Sequence, residues 1–181
     1  MNTTGNATVD FAAYIPTLRR SPHAVAILKG DSTHPDLTGI MRFFQTEYGV
    51  LAETSLSGLP SPAEPCASPV FGFHIHEGRQ CGRPAPARNM MSEPFAAAMG
   101  HYNPKNCDHP HHAGDLPPLL GCSGRAYQMF LTNRFRLNEV IGRAVIVHAM
   151  PDDFTTQPSG ASGKRIACGI ITAGMRSGVG L

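Results

Sequence analysis

Apolar and polar positions alternate along this chain in short runs that turn residues keep cutting. The runs are HAVAILKG (23–30), LTGIMRFFQT (37–46), GVLAETSLSGL (49–59), VFGFHIHEG (70–78), AYQMFLTN (126–133), GRAVIVHAM (142–150) and KRIACGIIT (164–172). Period-two alternation over a few residues marks a strand with one buried face. Seven or eight such strands joined by turns predict an all-β sandwich or barrel. SEPFAAAMG (92–100) reads as a helical turn or two. The stretches 82–125 and 151–163 read as long loops, and loops beyond roughly 12–15 residues in a compact domain are usually functional or disordered. Residues 1–21 are mixed and polar and are expected to form a partly ordered arm. One domain is expected over 22–175, followed by a tail at 176–181.

Composition narrows the choice. With 181 residues the chain suits one good core, and Gly 19 and Pro 16 favour strands and turns over helix. The net charge of +2 is too small and too scattered for a nucleic-acid footprint. No segment approaches the ~18 apolar residues of a membrane-spanning helix, so no membrane partner is expected. The start has neither a basic n-region nor an apolar h-region. The chain as given is therefore expected to be soluble and cytoplasmic, or extracytoplasmic if a leader was removed. Five cysteines (Cys66, Cys81, Cys107, Cys122, Cys168) leave at least one unpaired within the chain.

The candidate chemistry lies in the histidines. His74 and His76 are two apart in a strand-like run, so both rings lean to one face, where a fixed pair of imidazoles suits a transition metal. The loop GHYNPKNCDHPHHAGDLPPLLG (100–121) offers His101, His109, His111, His112 and Asp115 among prolines and glycines that forbid a helix. An irregular loop so rich in donors suits a cation as its organiser, and three nitrogens with one carboxylate fill zinc's tetrahedron as a closed structural site. His148 ends the apolar run RAVIVHAM. Taken with His74, His76 and one loop histidine it completes a four-nitrogen set suited to Cu(II).

GFHIHEG, GHYNP, HHAGDLPPL, IGRAVIVHAMPDD and GASGKRIACGII, in this order, resemble the copper, zinc superoxide dismutase family in its bacterial form. AVAILKGDS and SLSGLP fit as well, so the resemblance runs from about Ala24 to Ile171. It implies an immunoglobulin-like Greek-key β-sandwich or flattened barrel of about eight antiparallel strands, with two long functional loops. It implies that His74, His76, His101 and His148 hold copper and that His101, His109, His112 and Asp115 hold zinc, with His101 as the bridge. By the same resemblance, Asp152 links the two sites by hydrogen bonds, Arg165 attracts the anion with help from Lys164, and Ser159 stands at the channel rim. Cys81 and Cys168 are implied to form a disulfide, Cys107 and Cys122 are expected as a second bridge, and Cys66 as free. His111 is left as a surface or neighbouring residue.

The implied activity is dismutation of superoxide to dioxygen and hydrogen peroxide, with His101 and Arg165 catalytic and copper and zinc as cofactors. A homodimer stays open, since bacterial members associate differently or not at all. A copper- and zinc-buffering protein of the same fold is the alternative. Zinc hydrolases fit poorly, because after His76 the chain reads Glu77-Gly78 where one such class needs HxHxDH.

Overall fold

The structure, a computed structural model, describes residues 15–18, 20–62, 69–82 and 93–174. The expectations for residues 1–14, for Cys66 and for the tail 176–181 lie outside these; of the arm, Ile15–Leu18 forms a short helix, α1. Nine strand segments follow among the described residues. They are β1 (Ala24–Gly30), β2 (Thr38–Thr46), β3 (Gly49–Ser57), β4 (Val70–Phe71), β5 (Phe73–His76), β6 (Leu119–Leu120), β7 (Arg125–Thr132), β8 (Ala144–His148) and β9 (Arg165–Ala173). A second short helix, α2 (Leu137–Val140), was not foreseen from the alternation.

Seven strands form one antiparallel sheet in the order β5-β8-β9-β1-β2-β3-β7, and β4 pairs with β6. The order jumps from β3 to β7 and returns the last strand, β9, beside the first, so the pairing is that of a Greek key. The sheet curls on itself, because side chains from every strand meet in one core: Leu28, Met41, Phe43, Leu56, Phe71, Phe73, Ile75, Leu119, Ala126, Val145 and Ile171. The all-β class expected from the alternation is the one observed. The run 70–78 differs in detail, since it breaks at Gly72 and ends at His76. The expected turn near 92–100 is a 3₁₀ turn at Ala96–Ala98.

β5 and β8 are buried on both faces, which explains why their alternation is blurred. Phe73, Ile75, Val145 and Val147 point into the main core. Cross-strand partners share a face, and the register sets His74 opposite Ile146, His76 opposite Ala144 and His148 opposite Arg165. The second face of these strands is therefore the histidine face. The same face carries a small apolar cluster in which Ala144, Ile146 and Cys168 pack with Ala98.

Cys81 and Cys168 form a disulfide across a separation of 87 residues. In the chain-entropy account, closing a loop of that size stabilises the fold by about 4.5 kcal/mol. The second bridge does not form: Cys107 and Cys122 are both free. Cys107 is tied into the histidine loop by Asn103, whose carboxamide accepts from its N–H at 3.0 Å and donates to its carbonyl at 2.8 Å. Cys122 instead belongs to the turn that pairs with Arg125 at the start of β7.

Candidate metal centre

The histidine loop finds its place by docking on the free edge of β5. Ile75 N donates to the Gly114 carbonyl and Tyr102 N to the Ile75 carbonyl, both at 2.8 Å; Glu77 N donates to Gly100 at 2.8 Å and Leu116 N to Phe73 at 3.2 Å. These bonds extend the sheet by one irregular ribbon, with His76 beside His101 and His74 beside Asp115. Close approach is required at Gly114, where a Cβ would lie 2.1 Å from the Ile75 carbonyl oxygen. Arg143 braces the ribbon, with its guanidinium 3.9 Å over the Tyr102 ring and Nη1 on the Glu77 carbonyl at 2.9 Å. Arg134 braces the far side, its Nη1 donating to the carbonyls of Pro110, His112 and Asp115 at 3.0–3.3 Å.

Two donor groups result. His74, His76, His101 and His148 place one donor atom each within 4.8 Å of one another, and so do His101, His109, His112 and Asp115. All seven residues are buried. His101 belongs to both groups. Its ring lies 3.9 Å from that of His74 and 5.0 Å from that of His76. His111 is exposed and belongs to neither group.

In His74, His76 and His148 of the first group one ring nitrogen is held by a partner outside the group and the other faces the group. His74 Nε2 donates to Asp152 Oδ2 at 2.7 Å, His76 Nδ1 to the Met99 carbonyl at 2.9 Å and His148 Nδ1 to the Gly163 carbonyl at 3.2 Å. His76 Nε2 and His148 Nε2 face each other at 3.3 Å. In the second group His101 Nδ1 is 2.8 Å from Asp115 Oδ1, and His112 Nδ1 is 3.2 Å from the same oxygen. His109 Nδ1 lies 3.1 Å from Asp115 Oδ2 without making a hydrogen bond to it.

Among the described residues, His74 Nδ1, His101 Nε2 and His109 Nδ1 are buried with no hydrogen-bond partner. A buried polar atom left unpaired costs free energy, so three of them spread over the two donor groups fit cations that would take up their lone pairs. The donor chemistry agrees: four imidazoles suit copper, and three imidazoles with a carboxylate suit zinc.

Electrostatics prepares the donors. Burial, with repulsion from the neighbouring rings, holds His76 well below the usual histidine range and His148 at about 3, and burial lowers His74. These rings are neutral at pH 7, as ligands must be. Burial by itself would raise Asp152, but hydrogen bonds from His74, the Phe154 N–H and His109 outweigh it, and the carboxyl sits far below the ordinary carboxylate range. Asp152 joins the two groups, because its Oδ1 accepts from His109 Nε2 at 2.8 Å while its Oδ2 holds His74. Gly160, at φ +67°, passes so close that a Cβ there would lie 2.0 Å from Asp152 Oδ1.

An open cleft of about 680 Å³ leads to His76, His101 and His148, and Arg165, Lys164, Ser159 and Glu93 line it. Arg165 stands opposite His148 across the β8–β9 pair. Its guanidinium is aimed by the Phe95 carbonyl at 2.8 Å and the Met99 carbonyl at 2.6 Å. The Met99 carbonyl thus orients Arg165 and His76 together. Sequence reasoning missed these carbonyl partners, because a main-chain group leaves no residue-type signal. It also missed Arg134 and Gln157, polar residues that nothing in the local pattern distinguishes from loop surface.

A curled Greek-key sheet with two buried donor groups sharing one histidine defines a β-protein of dinuclear metal-binding type. The family model described as copper/zinc superoxide dismutase (SODC) matches residues 37–171. The chain belongs to the copper/zinc superoxide dismutase family. It is 37% identical over 150 residues to a Cu-Zn superoxide dismutase of Deinococcus radiodurans, covering 76% of this chain and 78% of that one. To the Cu-Zn enzyme of Legionella pneumophila it is 36% identical over 145 residues, covering 76% and 79%. Among solved structures, the Cu/Zn superoxide dismutase from Brucella abortus superposes with a TM-score of 0.67 at 24% identity, covering 81% of this chain and 98% of that one, a likeness of fold.

Proposed function

We propose that this protein dismutates superoxide, converting two superoxide anions and two protons to dioxygen and hydrogen peroxide. In this reading copper binds His74, His76, His101 and His148, and zinc binds His101, His109, His112 and Asp115. The observation that carries it is the double membership of His101, whose Nδ1 is engaged with Asp115 while its Nε2 has no partner. When bound, copper supplies a one-electron couple, and zinc, being d¹⁰, supplies charge and geometry but no redox change.

The chain's own groups do the rest. Arg165 and Lys164 put positive charge at the cleft, which favours encounter with a small anion. Burial lowers the Arg165 guanidinium somewhat from its ordinary value and the charge of Glu93 opposes this, but an arginine stays cationic throughout the working range. His101 Nε2 is the atom at which a proton can be held beside the reduced anion. Asp152 keeps the rings of His74 and His109 in one tautomer each, since an acceptor on one nitrogen leaves the lone pair on the other.

The test is metal analysis together with a superoxide-consumption assay on copper- and zinc-loaded protein. Turnover with both metals bound is expected. Two metals bound with no turnover would favour a buffering role instead.

A further inference from the structure

Gln157 is exposed on loop 151–163, yet its carboxamide reaches across to the histidine loop and pairs with the main chain of His109. Oε1 accepts from the His109 N–H at 3.0 Å, and Nε2 donates to the His109 carbonyl at 2.7 Å. An N–H demands an acceptor and a carbonyl a donor, so one orientation of the amide meets both needs and its flip meets neither. Asp152, on the same loop, holds the His109 ring at Nε2. One loop therefore grips this histidine twice, by main chain and by ring. The grip leaves Nδ1 directed at Asp115.

We infer that Gln157 is a positioning residue for zinc, setting the placement of His109 before the ion arrives. The inference rests on the zinc assignment made above for the second donor group. Its physical basis is preorganisation. His109 lies in a proline-rich segment without regular structure, so its main chain would have to be ordered when the ion binds unless something else orders it first. Gln157 supplies that order from a loop that also contributes the Gly163 carbonyl to His148, which ties zinc-side placement to the copper-side wall of the cleft.

The experiment uses the full chain with Gln157→Ala and Gln157→Glu, the latter keeping the acceptor and losing the donor. Metal-free protein is titrated with zinc against a competing chelator, and cobalt(II) serves as a spectroscopic stand-in for zinc. The zinc dissociation constant is expected to rise roughly 10–100-fold in Gln157→Ala, as for other outer partners of metal ligands, and to rise as well in Gln157→Glu, whose carboxylate meets the His109 carbonyl where a donor is needed. The cobalt absorption bands are expected to shift, because the ligand field follows the direction of His109. Zinc affinity and cobalt spectrum unchanged in Gln157→Ala would overturn the inference, and so would a loss confined to the melting temperature of the metal-free protein. Wild-type protein that takes up no zinc would defeat the dismutase reading itself, and the wild-type arm of the titration separates that failure from the other two.

Discussion

At the scale of single residues, Arg165 and Asp152 illustrate two ways for a side chain outside the donor groups to matter. Arg165 is held by two carbonyls at the cleft wall and touches no ring of either group through a hydrogen bond. Its substitution by Ala is expected to leave both metals bound while the rate falls by a factor of about ten or more and loses much of its salt dependence. Superoxide consumption measured across ionic strength checks this; unchanged kinetics would remove Arg165 from the mechanism. Asp152 works inward. In Asp152→Ala, His74 Nε2 and His109 Nε2 each lose their acceptor in a buried site, and affinity for both metals is expected to fall on the order of 10–100-fold, as read by chelator competition.

At the scale of elements, the decisive event is the docking of an irregular ribbon on the free edge of β5. The HxH spacing puts two rings on one face of that strand, but it does not say what lies beside them. Four main-chain hydrogen bonds do, and they bring His101 and Asp115 alongside. Gly114→Ala tests this directly, since the added methyl would meet the Ile75 carbonyl oxygen at 2.1 Å, a backbone atom that cannot swing aside. A destabilisation of about 1–3 kcal/mol is expected, typical of overpacking, and it should come with weaker zinc retention. Denaturant titration of the metal-free and zinc-loaded forms would measure both effects. The loop 151–163 is the second such element, contributing Asp152, Gln157 and the Gly163 carbonyl from one short stretch.

At the scale of the whole molecule, His74, His76 and His148 are neutral rings enclosed by a folded β-shell, and that makes stability depend on pH. The folded values of His74, His76 and His148 are depressed, His148 to about 3, whereas a histidine in the unfolded chain titrates near 6.5. Between these values the unfolded state binds more protons than the folded one. The stability contribution is thus fully present above about pH 6.5 and is lost as the pH falls toward 3. Asp115 and Asp152, also depressed, add a loss in the same direction at lower pH, below the ordinary aspartate value of 3.8. The denaturant midpoint of the metal-free protein is expected to drop steadily from pH 7 to pH 5. A flat profile would mean that these rings take up protons in the fold as readily as in the unfolded chain.

Much of this protein was legible in its sequence because the relevant information is local. Period-two alternation located β1, β2, β3, β7 and β9, short apolar runs bounded by turns located β5 and β8, and residue type with spacing offered every member of both donor groups together with His111, which the family resemblance then sorted. Where strands are very short, as in β6, or a helix is a single turn, as in α2, there are too few residues for a period to show. Cys107 and Cys122 were expected to pair by their positions flanking the loop, but what each bonds to is settled by the backbone around it. The rest depends on contacts between residues far apart in the chain. Which nitrogen of each ring is engaged, which carbonyl aims Arg165, and how Gln157 grips His109 are decided by partners distant in the chain, many of them main-chain groups common to every residue. Such groups acquire an address only when the chain has folded.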